Sequence, residues 1–341
     1  MRLALVSQLN NRKKVGLISS IIFCCLLIAG TVLFVVYRQR IVDQIVVWSY
    51  SPSVDEINLV DRAGMNDNGK FYYLASRPEL FLPQASTEFD QICYQVESTT
   101  AILGCYNGYK IYIKDVVDEQ LDGISEVTAV HETLHAIYDR LSDDEKSIID
   151  ELLQAEYIKL KDDKTFSDLM AFYARSEPGQ RNNELHSIIG AEVAVISSEL
   201  ESYYSKYFAD RQKVVALNTK YSGVFDKLKL RADELSSQLT ELFNSITSQS
   251  NQYNSDSETL NNDIVSFNSH ANNSGFSSQT QFNNERNALI NRSEILDATR
   301  TSINNEVDNY RILATEHDAI TIESKNLFNL LDNPLAPAPS I

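Results

Sequence analysis

Over a third of the chain is committed to long helices by its apolar spacing. From about residue 196 to 270 there is no proline and one glycine. Within that stretch Ala232, Leu239, Ile246, Tyr253, Leu260 and Phe267 follow one another at intervals of seven. Tyr221, Leu228, Leu235 and Leu242 form a second series offset by three or four, the seam of a coiled coil. Ala271-Asn272-Asn273-Ser274-Gly275-Phe276 breaks the pattern. A second heptad stretch then runs to Leu331, through Phe282, Leu289, Leu296, Ile303 and Tyr310, with Leu313, Ile320 and Leu327 in the companion series. Two long helices around a short polar loop predict an antiparallel hairpin arm over 206–331, on the order of 80 Å long. Gln249, Asp256, His317 and Ser324 occupy core slots and make the seam imperfect. Residues 332–341 read as a disordered tail.

The other end of the chain is apolar. Residues 1–14 form a short basic tail, and 15–37, VGLISSIIFCCLLIAGTVLFVVY, contain no charge. At 1.5 Å per residue this run spans about 35 Å, enough for one transmembrane helix. It ends in Tyr37-Arg38-Gln39-Arg40 without a small-residue cleavage site, which favours an uncleaved anchor over a signal peptide. Four bases precede the run and two follow it, so the positive-inside rule puts the N-terminus in the cytoplasm and the rest outside the cell membrane. Residues 38–55 read as a juxtamembrane connection with Trp48 and Tyr50 near the interface. The first forty residues hold six bases and no acid, leaving 24 bases against 47 acids in the remainder, a net of −23. So acidic a body is repelled by phosphate backbones, which argues against a nucleic-acid partner.

Between anchor and arm, 56–205 predict a small domain. Residues 56–114 read mostly as short strands and turns, with Phe71-Tyr72-Tyr73-Leu74 and Ile92-Cys93-Tyr94-Gln95-Val96 strand-like. Ala101–Tyr106, Asn107-Gly108 and Tyr109–Ile113 have the form of a β-hairpin with a two-residue turn. Its second strand suits an edge along which an extended peptide could pair, or equally a packed core strand. Cys93 and Cys105 could form a disulfide across this region in an oxidising compartment; the alternative is two buried thiols. After Asp122-Gly123 the period becomes helical, with Ser125 as the expected cap of a helix to about Arg140. Ser142-Asp143-Asp144-Glu145 is a capping box for the next helix, to about Lys161. Further helices are expected over 165–175 and from about Asn182 or Asn183. The fold class is therefore α+β: a small mixed sheet with helices, preceded by a membrane helix and followed by a coiled-coil hairpin.

The chemistry is concentrated in His131-Glu132-Thr133-Leu134-His135. Residues four apart share a helix face, so His131 and His135 aim two imidazoles the same way, half of a zinc site. Glu132 lies where it can take a proton from a water beside the metal. The flanks are uncharged and mostly apolar, as suits a buried helix presenting a polar motif inward. The plain alternative is a surface helix with incidental histidines. A catalytic zinc needs a third protein ligand. His270 and His317 fall in the arm, leaving His186 as the one further histidine, or else a carboxylate on a later helix.

The stretch TAVHETLHAI resembles the zincin metallopeptidases. Asn183-Glu184-Leu185-His186-Ser187 resembles the N-E-x-x-S element of their gluzincin branch, in which that Glu is the third zinc ligand. The resemblance covers roughly residues 100–200 and implies Glu184 as the third ligand, Zn2+ as cofactor and a peptide or protein substrate. Where the branch often carries an Asp, this chain has Ile188, so a carboxylate supporting the ligands must come from elsewhere, with Glu192 a candidate for that role or for the ligand itself. A donor to the developing oxyanion is expected from His186, Tyr173, Tyr138 or Arg181. The reading is a membrane-anchored zinc metalloendopeptidase whose arm holds a partner, a substrate or a second copy. A competing reading is an envelope scaffold with a structural or inactive peptidase-like domain, and a third is a zinc amidase.

Overall fold

The computed structural model describes residues 2–93 and 102–331. The chain is mostly helical, with one three-stranded mixed sheet and two long C-terminal helices. Residues up to Ser222 and residues Gly223–Leu330 form separate compact units.

In the first unit, α1 (Arg2–Ser49) carries the charge-free run and continues past it. No single described helix is long and apolar enough to cross a membrane; Phe23–Val35 and Tyr37–Ser49 pass that test only as a pair, bent by 67°. The end of α1 is fastened to the body of the unit. Asp43 forms a buried ion pair with Arg140 (3.1 Å), and the Arg40 guanidinium lies 3.6 Å over the Phe71 ring. The expected connection over 38–55 is thus mostly helix, docked on α3.

Helices α2 (Val54–Arg62) and α3 (Asp67–Ala75) replace the strands expected there. Ser53 and Glu56 close a capping box on α2, and Asn66 accepts from the amides of Asn68 and Gly69 to start α3. Phe71–Leu74 is therefore helical. Four aromatic and aliphatic residues carry no period of their own, and the cap together with burial of Tyr73 decides the outcome. After β1 (Glu79–Phe81), α4 (Ser86–Cys93) makes Ile92 and Cys93 helical too, while Tyr94–Val96 and the tail 332–341 lie outside the described residues. Cys93 is joined to Cys105 by a disulfide, with Cα atoms 5.7 Å apart.

The hairpin forms from β2 (Gly104–Tyr106) and β3 (Ile111–Lys114), paired Tyr106 to Ile111. Its loop is four residues, closed by Asn107 N–H donating to the Lys110 carbonyl, with Gly108 at φ 93°. β1 pairs in parallel with the other side of β3, so the strand order is β1-β3-β2. Of the two roles open to the second hairpin strand, the structure shows the packed core: β3 is central, its Ile111 and Ile113 fully buried, and β2 is an outer strand of the sheet among the described residues.

Helix α5 (Ile124–Asp139) carries the histidine motif. Gly123 at φ 108° is its N-cap; Ser125 lies inside the first turn and bonds Asp115 and the Val116 amide instead. Helix α6 (Asp143–Leu160) starts at the expected Ser142–Glu145 capping box, followed by α7 (Lys164–Ser176), α8 (Arg181–Ala191) and α9 (Ser198–Tyr204). The core is built where α8 crosses α5. A Cβ on Gly190 would lie 2.6 Å from Leu134 Cδ1 and 2.7 Å from Tyr204 Cε1, two fully buried side chains. Gly190→Ala is therefore expected to destabilise the unit by about 1–3 kcal/mol through overpacking, read as a lower denaturant midpoint at unchanged m-value. An unchanged midpoint would mean that the two helices do not approach this closely.

The second unit is an antiparallel helix pair, α10 (Gln212–Asn272, of which residues from Gly223 belong here) and α11 (Gln279–Leu331). Phe225 meets Phe328, Arg231 pairs with Glu316, Arg292 with Asp263, and Phe267 with Phe282 near the loop. Leu235, Leu260 and Ile303 of the heptad series are buried. The polar slot at Gln249 is filled across the seam by a 2.6 Å bond to Glu306.

Candidate metal centre

Helix α5 presents His131 and His135 one turn apart, their ring centroids 4.7 Å from each other. Glu184, in the first turn of α8, faces both: its Oε2 lies 3.7 Å from His131 Nε2 and its Oε1 3.5 Å from His135 Nε2. One ligand atom from each of the three lies within 4.8 Å of the others. In a tetrahedral centre with ligands at about 2.1 Å, neighbouring ligand atoms stand about 3.4 Å apart, so these separations leave room for one small cation. Both Glu184 oxygens are buried, face the two imidazoles and the Glu177 carboxyl, and receive no bond from an amide or hydroxyl. A carboxylate desolvated in this way, between two imidazoles, is a donor set that a divalent metal satisfies.

The rings are oriented from behind. His135 donates its Nδ1–H to Asn183 Oδ1 (2.9 Å), with Ser187 Oγ 3.1 Å away, which leaves the Nε2 lone pair facing Glu184. His131 Nδ1 faces Glu192 Oε1 at 3.6 Å. Glu192 therefore backs a histidine and stands outside the three-residue group, while the position next to it in the resemblance, Ile188, is buried core.

The remaining candidates divide. Tyr173 lines the cleft and stacks on His131 at 6.3 Å. His186 is turned into the core, where its Nε2 meets Tyr203 Oη at 2.8 Å among the rings of Tyr138, Tyr203 and Tyr204. Burial pushes it down to about 3, so it stays neutral. Tyr138 is engaged by Asp150 (2.8 Å), and Arg181 stacks on Tyr157. Neither lines the cleft.

Glu132 is buried beside the cluster with Oε2 unpaired. Burial lifts its pKa to about 7, with Glu184 adding to the rise and His131 opposing it. Glu177, which the sequence reading missed, sits at the end of α7 with its carboxyl against Glu184; burial and that neighbour lift it to about 8. Glu132 opens on a cleft of about 140 Å³ lined by Ile102–Gly104, Val127, Phe172 and Tyr221. Gly104 makes this approach possible, since a Cβ there would stand 2.8 Å from Glu132 Cγ and 2.5 Å from Thr128 Cγ2.

Burial alone would lower the His131 pKa, but Glu184 and Glu192 override it and hold the ring well above its ordinary value. The sign follows from linkage. In metal-stripped protein this ion pair stabilises the fold below that pKa and is lost as pH rises through it. Metal must displace the proton, so its apparent affinity should fall by about tenfold per pH unit on the acid side. Competition titrations with a chelator at two pH values one unit apart measure this, and a pH-independent affinity would contradict it. Searches of family models, of curated proteins and of solved structures each found no match to the chain.

Proposed function

We propose that the chain is a membrane-anchored zinc metallopeptidase of gluzincin type, acting outside the cell membrane on protein substrates. The observation that carries the reading is the convergence of His131, His135 and the buried Glu184 beside a second acid, Glu132, which lines an open cleft together with His131. Two nitrogens and a carboxylate are the ligand set of a catalytic zinc, which supplies Lewis acidity to a carbonyl and to an attacking water.

The rest is the work of the chain's own side chains. Glu132, buried beside the cluster and opening on the cleft, holds the proton of the attacking water and returns it to the leaving amine. Asn183, Ser187 and Glu192 keep the two imidazoles in the ligating orientation. Gly104 of the outer strand β2, and Leu103 before it, border the cleft, which favours an extended peptide lying along that strand. Tyr173, which lines the cleft beside His131, is the candidate for stabilising the oxyanion. The charge-free run over 15–37 serves as the anchor. The Cys93–Cys105 disulfide suits an oxidising, extracytoplasmic compartment.

The test is digestion of an unstructured protein such as casein by the zinc-loaded full chain. Fragments should appear, stop on addition of a chelator and resume with added zinc. A chain that binds zinc stoichiometrically yet leaves casein intact would sink the peptidase reading.

A further inference from the structure

The end of α1 is amphipathic in an unusual sense, with its polar and charged contacts turned inward and its apolar side turned out. Asp43 is buried against Arg140, and Arg40 stacks on Phe71. The opposite side carries Ile41, Ile45 and Trp48, spaced four and three residues apart on one helix face and 39%, 55% and 78% exposed. Val42, beside them, is also exposed. An isolated apolar residue on a surface is ordinary, but a continuous helical stripe ending in an exposed tryptophan marks an interaction face.

Continuity with the charge-free run identifies what covers it. Tyr37–Ser49 leaves Phe23–Val35 at 67°. From Tyr37 to Trp48 is about 16 Å along the helix, so for a span normal to the bilayer Trp48 rises only about 6 Å above the end of the span. The headgroup layer on one side is about 5–7 Å deep, and a straight helix would have carried Trp48 clear of it. Tryptophan is enriched at that depth. We propose that the Ile41–Ile45–Trp48 face of α1 lies on the bilayer surface as an interfacial helix. Its other face is clamped to the domain by the Asp43–Arg140 ion pair, so the cleft is held next to the membrane. The body is strongly acidic, so attachment comes from apolar insertion and needs no anionic lipid. The inference rests on the anchor proposed above.

Trp48 is the chain's one tryptophan, so its fluorescence reports on this face alone. The probe is the full chain reconstituted in phosphatidylcholine vesicles. Lipid brominated near the headgroup end of its acyl chains should quench Trp48, and aqueous acrylamide should quench it several-fold less than in the denatured chain. Ile45→Glu, at an exposed position, should restore acrylamide access while bound zinc and membrane retention stay unchanged. Trp48 open to acrylamide in the vesicles would overturn the proposal. So would Trp48 shielded from acrylamide but insensitive to brominated lipid, since a protein surface then covers it. Release of the chain by alkaline carbonate would remove the anchor and this face with it, whereas a retained chain with a water-exposed Trp48 removes the face alone.

Discussion

Replacing Glu132 with Gln is expected to cut the rate of peptide hydrolysis by about 10²–10⁴-fold while leaving bound metal unchanged. The amide has nearly the volume of the carboxylate, so the contact with Gly104 and the α5 packing survive. What it cannot do is accept and return a proton. The native carboxylate is suited to both, because it lies buried beside the proposed ligands with one oxygen unpaired and opens on the cleft. Metal content is expected to hold because Glu132 stands outside the group formed by His131, His135 and Glu184. Parallel casein digestion and metal analysis check both halves. Equal rates for the two proteins would show that Glu132 has no part in proton transfer.

Glu184→Ala and His186→Ala, two residues apart on α8, are expected to fail in opposite ways. Removing Glu184 takes away the carboxylate that faces both imidazoles, and should weaken zinc by at least about a hundredfold, beyond the cost usual for an outer-shell partner. Removing His186 should leave zinc bound. It costs stability instead, about 2–4 kcal/mol, because a fully buried ring is lost and the Tyr203 hydroxyl is left without its partner. Chelator competition separates the first from the second, and denaturant unfolding of the metal-free proteins separates the second from the first. Zinc lost with His186→Ala and kept with Glu184→Ala would reverse the ligand assignment.

The same pair shows how far the site was legible in the sequence. His131 and His135 were readable because a spacing of four fixes a common helix face whatever the tertiary setting. Glu184 was reached through resemblance, and His186 stayed in contention because spacing along α8 says nothing of which side meets α5. Residues two apart on a helix stand about 200° apart, so once Glu184 faces the histidines His186 points away from them, and the tyrosines packed on that side bury it. Asn183 and Ser187 flank Glu184 in the motif, but their bond to His135 is purely tertiary. Glu177, seven residues before Glu184 in a turn, had no local signal at all.

The fold was legible in proportion to the length of its periodic stretches. The two helices of the arm and the capping box of α6 were readable from spacing and cap chemistry alone. Phe71–Leu74 was too short to show a period, and the cap at Asn66 settled it as helix. β1, at three residues, was invisible, and without it the sequence could not decide whether β3 lay at an edge or in the core.

The most direct test of the centre is zinc X-ray absorption on the wild-type chain, combined with metal analysis of the same sample. One zinc per chain is expected, with only nitrogen and oxygen neighbours at about 2.0–2.2 Å. The four cysteines leave no sulfur for it: Cys93 and Cys105 are joined to each other, and Cys24 and Cys25 lie in the apolar part of α1. Sulfur neighbours at about 2.3 Å, or a chain that holds no stoichiometric zinc, would contradict the His131–His135–Glu184 centre.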